Sequence, residues 1–337
     1  MVADLRRRER LDRGIKVRCD NVYVLLSWRE IGYFLMPRAI LIVGLLAAPL
    51  LMPDLYWQRT LCLAGSYALL AISFDFLAHF VGLVCIGGAF LMGVGGYISG
   101  LLNWYYGWPI ALTIPTATVS GAILCTLVWL PCIPLRGIYF AIVTFMYPFL
   151  ATSIICALNI FGGTEGLSPI ASFPNIWLEV YILFSVILII TFSLRRLSGE
   201  DIGMVFRAMK DNDQAVLASG ISLTSTKALA LFIASMIGCF AGAYFAHLYG
   251  WVGITLFALD FTILPIAACV LGGLGTLVGP VIGAIILTPL SELLRGFGQL
   301  RVVLYCMVLA GFILFKPEGL LNWLTRKYHQ FEHWEEV

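Results

Sequence analysis

The sequence predicts an all-α, polytopic membrane helix bundle of about ten spans, with the N-terminus and C-terminus both cytoplasmic. Three observations carry that expectation. Hydrophobic residues make up 61% of the 337-residue chain and charged ones only 12%, against roughly 25% charged in an ordinary soluble domain. Mean hydropathy is +0.94. The apolar residues also fall in runs close to the roughly 20 needed to cross the hydrocarbon of a bilayer. A surface with so little charge cannot be solvated by water alone, so lipid must cover much of it.

Runs of that kind lie near 36–53, 60–81, 83–102, 109–131, 137–160, 176–194, 228–248 and 301–316. Between Phe257 and Leu290 a longer run is broken by Leu271-Gly272-Gly273-Leu274-Gly275-Thr276. That pattern fits two short spans or two half-helices joined by a glycine turn. The chain opens on a hydrophilic stretch holding Arg6, Arg7, Arg8, Arg10, Arg13, Lys16 and Arg18. It is read as a cytoplasmic extension over 1–35 rather than a cleavable signal peptide. A membrane domain is expected over 36–320, and a cytoplasmic tail over 321–337.

Charge placement supports this orientation. The segments expected outside, Asn103 to Trp108, Phe161 to Asn175 and Tyr249 to Asp260, carry no Lys or Arg. The loop 195–227, expected inside, carries Arg195, Arg196, Arg207, Lys210 and Lys227. Arg295 and Arg301 are the exceptions to the positive-inside rule. Trp104, Tyr105, Tyr106 and Trp108 bunch at one expected interface, where aromatic side chains anchor at headgroup level. Small residues recur inside the spans, with Gly238, Gly242 and Ala246 at i+4 intervals, a spacing that lets helix backbones approach closely in lipid.

Several function classes are disfavoured. A net charge of +2 gives no footprint for nucleic acid. The nine cysteines are scattered and form no CxxC pair, so neither a metal knuckle nor a redox dithiol is indicated. His329 and His333 have i,i+4 spacing on the tail, which is weak grounds for a metal pair. No Gly-x-x-x-x-Gly-Lys-Ser/Thr loop is present, so the chain is expected to bind no ATP itself. No HExxH or Ser/His/Asp set falls among the spans, which argues against a membrane-embedded enzyme.

The loop 195–227 is the longest polar segment between the spans. Helical spacing brings Ile202, Val205, Phe206 and Met209 onto one face, with Ser198 as the expected N-cap. Asp211 or Asp213 is expected to start a second short helix that Gly220 ends. Two short amphipathic helices at the membrane surface suit docking into a groove on another protein; equally, the apolar face could lie on lipid. Within the spans, Asp75 is the costliest residue to bury in lipid. His79 lies four residues on, on the same helix face, where a carboxylate–imidazole contact is feasible. That pair reads either as part of a pathway or gate, or as a structural tie at the inner end of its span.

Here the sequence resembles a known family. Phe206-Arg207-Ala208-Met209-Lys210-Asp211-Asn212-Asp213-Gln214-Ala215, followed by Gly220-Ile221, is similar to the cytoplasmic loop of LIV-type (branched-chain amino-acid) permeases of ATP-binding-cassette importers. Arg136-Gly137-Ile138-Tyr139-Phe140-Ala141, Gly162-Gly163-Thr164-Glu165-Gly166-Leu167 and Val270-Leu271-Gly272-Gly273-Leu274-Gly275-Thr276 resemble three further family segments in the right order. The Tyr-Phe-Ala segment favours the M-type subunit.

The resemblance implies a permease half that forms the solute pathway with a homologous H-type permease in the bacterial inner membrane. Two ATPase subunits would hold ATP and Mg, and an extracytoplasmic solute-binding protein would deliver solute; no cofactor would be bound by this chain. It implies that Arg207, Ala208, Lys210, Asp211, Asn212, Asp213, Ala215 and Gly220 form the ATPase-coupling loop. Candidate pathway or gating positions are Asp75, His79, Cys85, Tyr139, Thr144, Gly162 and Gly163. In the third span the family's polar Gly-Gln-x-Ser-x-Gly-His stretch is replaced by Gly82-Leu83-Val84-Cys85-Ile86-Gly87-Gly88. The resemblance implies branched-chain or other amino acids as solutes, and the loss of that polar stretch leaves urea, short amides or aromatic acids as alternatives. An ion-coupled secondary transporter with broken helices is the competing class.

Overall fold

A computed structural model describes residues 44, 49, 54–135, 137–298, 300, 303, 307, 310–312 and 319–323. The chain divides into two units, Met1–Ala48 and Pro49–Val337, and the helix bundle belongs to the second. The basic extension 1–35, most of the spans expected at 36–53 and 301–316, Arg136, Arg301, and the tail with His329 and His333 lie outside the described residues.

The described elements are helices: α1 (Leu55–Asp75), α2 (Gly88–Tyr106), α3 (Ile110–Trp129), α4 (Ile138–Leu158), α5 (Ile176–Leu197), α6 (Asp201–Asp211), α7 (Asp213–Ala218), α8 (Leu223–Tyr249), α9 (Asp260–Gly272) and α10 (Gly279–Leu293). Among the described residues six helical segments are long and apolar enough to cross a membrane: 55–81, 110–132, 138–158, 176–197, 223–249 and 254–272. The protein is thus a multi-pass membrane helix bundle. α2 has the length, but five glycines and a polar aromatic end dilute its hydropathy. α10 has 15 residues, about 22 Å at 1.5 Å per residue, short of the roughly 30 Å hydrocarbon core. The long run from Phe257 to Leu290 resolves into α9 and α10 joined by a glycine turn, as its sequence suggested.

α1 and α8 form the centre. In α1, 83% of the membrane-length window is buried, against 22% in α4 at the periphery. α8 packs on α1, α2 and α3, while α1 also packs on α5, α9 and α10. The crossing of α2 and α8 is backbone on backbone. A Cβ on Gly242 would lie 2.0 Å from the Met92 carbonyl oxygen, and one on Gly95 would lie 2.1 Å from that of Cys239. Only glycine allows this approach, and the stripe Gly238, Gly242, Ala246 thus serves packing.

The ends of the helices sort into two sides. On one side, Leu167 and Val252 form an isolated antiparallel bridge, and the loops around them exchange further bonds. On the other, α6 lies against the end of α1, which also holds the α9–α10 turn. The first side carries the segments expected outside, and the second carries loop 195–227.

Candidate functional site

Loop 195–227 folds into the expected pair of short helices. α6 buries Gly203, Phe206 and Met209 and leaves Ile202 and Met204 exposed; the buried stripe is therefore rotated one position from the expected face, which had included Ile202. Ser198 caps the end of α5, not the start of α6, whose N-cap position is Glu200. The second helix starts at Asp213, and its cap is Asn212. The Asn212 side-chain oxygen accepts from the amides of Gln214 (2.9 Å) and Ala215 (3.3 Å), satisfying two of the free N–H groups at a helix start. Arg207 donates to the Ser198 carbonyl, tying α6 back to the end of α5.

Asp213 also pairs with Lys227 in the first turns of α8, at 2.8 Å, with the side chains 21% and 8% exposed. α7 is thereby anchored to a core helix. Gly220 follows with φ of 82° and ends the knob. Arg207, Ala208, Lys210, Asp211, Asn212, Ala215 and Leu217 remain exposed, so the coupling-loop positions, Asp213 apart, form an open surface.

The knob rests on the end of α1. There the helix widens into a π-helical turn, Phe76–Val81, a feature often found at functional sites. Phe206 meets Phe76 edge-on, with ring centroids 5.8 Å apart. Gly82, at φ of 80°, lies under Lys210, whose Cα would be 3.1 Å from a Cβ added there. One turn earlier, Asp75 is fully buried. Its carboxylate accepts from the Gly275 amide at 2.7 Å and the Leu277 amide at 3.2 Å. Charge-assisted bonds of this kind are stronger than neutral ones, so Asp75 clamps the α9–α10 turn. The expected direct pairing with His79 is not what holds the carboxylate. His79 is exposed and sits against Gly275, and no Asp75–His79 ion pair occurs among the described residues. Asp75 joins the end of α1 to backbone amides of the α9–α10 turn.

After the π turn the chain unwinds over Gly82–Gly87 before α2 begins at Gly88, five residues later than the sequence pattern suggested. Side chains alternate as in an extended strand: Leu83 and Cys85 are buried, while Val84 is exposed. The Ile86 amide donates to Thr144 on α4 at 3.1 Å, and the Ala89 amide donates to Thr262 on α9 at 3.0 Å. Non-helical backbone at membrane depth is tolerated only where protein covers it or it lines a water-filled cavity.

The seven candidate pathway positions therefore fall into different places. Cys85 and Thr144 belong to the unwound segment and its support. Asp75 and His79 belong to the turn beneath it. Tyr139, 71% exposed, projects from the start of α4. Gly162 and Gly163 lie in the loop on the opposite side, where positive φ angles fold the chain back beside Val252.

One polar centre escaped the sequence reading. His247, fully buried on α8, sits with Nδ1 2.7 Å from the Ala171 carbonyl, so that nitrogen carries the proton. Nε2 is left as acceptor, 2.9 Å from both the Ser99 and Thr113 hydroxyls. This joins α2, α3, α8 and the loop at Ala171. Its one sequence signal was adjacency to Ala246 on the small-residue stripe.

A family described as branched-chain amino acid transport system / permease component matches residues 56–315. The chain is similar to the high-affinity branched-chain amino acid transport system permease protein LivM of Salmonella typhimurium, 26% identical over 287 residues, covering 76% of this chain and 67% of that one. The probable branched-chain amino acid transport permease protein LivM of Methanocaldococcus jannaschii is also 26% identical, over 269 residues, 70% of this chain and 76% of that one. A shorter stretch of 124 residues is 36% identical to the autoinducer 2 import system permease protein LsrC of an Enterobacter species, 35% of this chain and 34% of that one. No solved structure matches.

Proposed function

The chain belongs to the branched-chain amino acid transport permease family, and from that premise we propose that it is the M-type pathway subunit of an ATP-driven importer. The observation that carries the coupling half of this reading is the α6–α7 knob. It is braced by Asn212, Arg207 and the Asp213–Lys227 pair, exposes Ile202, Met204 and Leu217, and rests directly on the chain that leads into the unwound segment. Two separate ATPase subunits, holding ATP and Mg, dock on that knob. Movement of the knob acts on the π turn and, through Gly82, on Gly82–Gly87.

Solute crosses at the interface with a homologous H-type permease, which supplies the cover that the outward side of the unwound segment requires in lipid. A solute-binding protein docks on the opposite side, over the paired loops around Glu165 and Trp251. The knob side is cytoplasmic, a reading the positive charge there supports, and the membrane is the bacterial inner membrane. About ten spans, cytoplasmic termini and the division into 1–35, 36–320 and 321–337 complete the proposal. The solute is a branched-chain or related amino acid.

Co-expression with candidate ATPases and a second permease, followed by purification and reconstitution in vesicles, tests this reading. ATP-dependent leucine uptake, competed by isoleucine and valine, is the expected result. Uptake by this chain alone, driven by an ion gradient, would overturn it. Competition by urea, short amides or aromatic acids in place of leucine would reassign the solute.

A further inference from the structure

Four buried side-chain atoms lack a hydrogen-bond partner among the described residues: Tyr97 Oη, Trp129 Nε1, Glu179 Oε1 and Ser235 Oγ. A buried orphan donor is costly, and a native protein that keeps one owes it an explanation. The first two orphans belong to a single structure. From Trp129 at the end of α3, rings follow one another along the face of α2 to the outer-side loop. Trp129 and Tyr147 lie 5.8 and 5.5 Å from Phe90, Phe90 lies 6.5 Å from Phe257, Phe257 stacks at 5.6 Å on Tyr97, and Tyr97 lies 6.4 Å from Phe161. Phe90 and Tyr97 are seven residues apart, on one helix face. Between them Gly93 leaves the space that the Phe257 ring fills, 2.1 Å from where a Cβ would stand.

This column starts where the candidate pathway lies. A Cβ on Gly87, at the end of the unwound segment, would sit 2.8 Å from the Trp129 ring and 3.2 Å from the Thr144 carbonyl. It ends at Phe161, 41% exposed in the outer-side loop. α4 packs on α2 and on the 254–257 turn that carries Phe257, contributes Tyr147 to the column, and is the least buried of the six candidate spans among the described residues. No member of the column is charged.

We infer that this column is the solute-contacting wall of the translocation pathway, with the Tyr97 hydroxyl and the Trp129 indole N–H as two successive hydrogen-bond donors for a small, net-neutral zwitterion carrying an apolar side chain. The inference rests on the importer reading and deepens it. Ring faces accept both an aliphatic side chain and, through their quadrupole, an ammonium group. The two orphan donors take the carboxylate oxygens in turn. A column without a counter-charge disfavours solutes of net charge such as lysine or glutamate. The wall is closed under α4 in this structure, and displacement of α4 uncovers it.

Tyr97→Phe removes one hydroxyl and nothing else. A hydroxyl kept for packing and one kept for solute predict opposite outcomes in two measurements. In the reconstituted complex, Tyr97→Phe is expected to raise the KM for leucine uptake by about threefold to tenfold, the worth of one ordinary hydrogen bond, with maximal rate near wild type. Thermal unfolding of the purified complex is expected at an unchanged or higher temperature, because an unpaired buried group has gone. Trp129→Phe serves as the second variant, judged by KM alone since it also loses ring volume. An unchanged KM in both variants overturns the inference, as does a lowered unfolding temperature for Tyr97→Phe with unchanged KM. If the wild-type complex takes up no leucine while assembling with its ATPases, the importer reading loses its solute and this inference falls with it. Active wild type with indifferent variants sinks this inference alone.

Discussion

Replacing Asp213 by Asn leaves the Lys227 ammonium, 8% exposed, beside a neutral amide. At 2.8 Å the pair has a gross Coulomb energy of about 6 kcal/mol at an effective dielectric constant near 20, and about 1.5 kcal/mol if water screens it fully. Burying the two charges offsets much of that, and breaking a fully buried pair costs about 3–5 kcal/mol. Asp213 keeps some contact with solvent, so about 2–3 kcal/mol is the expected loss. The loss falls on α7, the element this pair joins to α8, and not on the whole bundle. Hydrogen exchange of amides in 212–222 reads it directly. A loss of 2–3 kcal/mol should speed exchange there by about 30- to 140-fold at about 1.4 kcal/mol per decade, while α1 and α8 interiors stay protected. Lys227→Met should give a similar change. The double variant should fall well short of the sum, since the second change removes a partner already lost. Strictly additive effects, or exchange indistinguishable from wild type in Asp213→Asn, would refute the anchoring role.

Asp75→Asn keeps an oxygen for the Gly275 amide but turns an NH2 toward the Leu277 amide. About 1–3 kcal/mol of local stability should be lost at the α9–α10 turn, read as faster exchange over 273–278; if that turn stays protected, Asp75 is no clamp. Gly242→Ala puts a methyl 2.0 Å from a backbone oxygen, and helices that cannot yield by rotamer change must part by about 1 Å. A cost of about 1–3 kcal/mol or more is expected, seen as a drop of several degrees in thermal unfolding relative to Gly296→Ala, where nothing stands within 4 Å. Equal behaviour of the two alanines would rule out the close crossing. Single cysteines at Glu165 and Gln214, in a cysteine-free background, should react with a membrane-impermeant maleimide from opposite faces, Glu165 from outside; labelling from one face would invert the assigned topology.

Helical spans were legible because a lipid exterior imposes a long apolar run, and length then fixes the element. α2 shows where that logic gives out. Residues 83–87 are as apolar as any helix, but Gly82 turns the chain left-handed and Thr144 and Thr262 capture the amides of Ile86 and Ala89. Those partners come from α4 and α9 and cannot be read locally. The knob was legible through its turn chemistry: its second helix starts at Asp213, one of the two residues expected, while the cap itself is Asn212. Acidic and amide side chains cap equally well, so sequence alone does not choose between neighbours. For Asp75 the sequence supplied the right residue and the wrong partner. Helical spacing points to His79, whereas the amides that bind the carboxylate come from a turn 200 and 202 residues away. Tyr97 and Trp129 carry no sequence signal that sets them apart from packing residues; their polar atoms, unpaired among the described residues, are a property of the fold.

The α2–α8 crossing also determines which way these helices can move. Near one end, Ser99, Thr113 and His247 pin α2, α3 and α8 together through directional bonds. Farther along, at Met92 and Gly242, the contact is bare backbone, with no side chains to re-sort as one helix swings past the other. α2 is thus a leg pivoted at its bonded end, with the Ile86 and Ala89 amides held to Thr144 and Thr262 at the other. From Ser99 to Gly88 the leg measures about 16 Å, so a tilt of about 10° carries the mouth of the unwound segment by about 3 Å. A displacement of that size matches the width of a methyl group, and it needs no repacking of the pinned end.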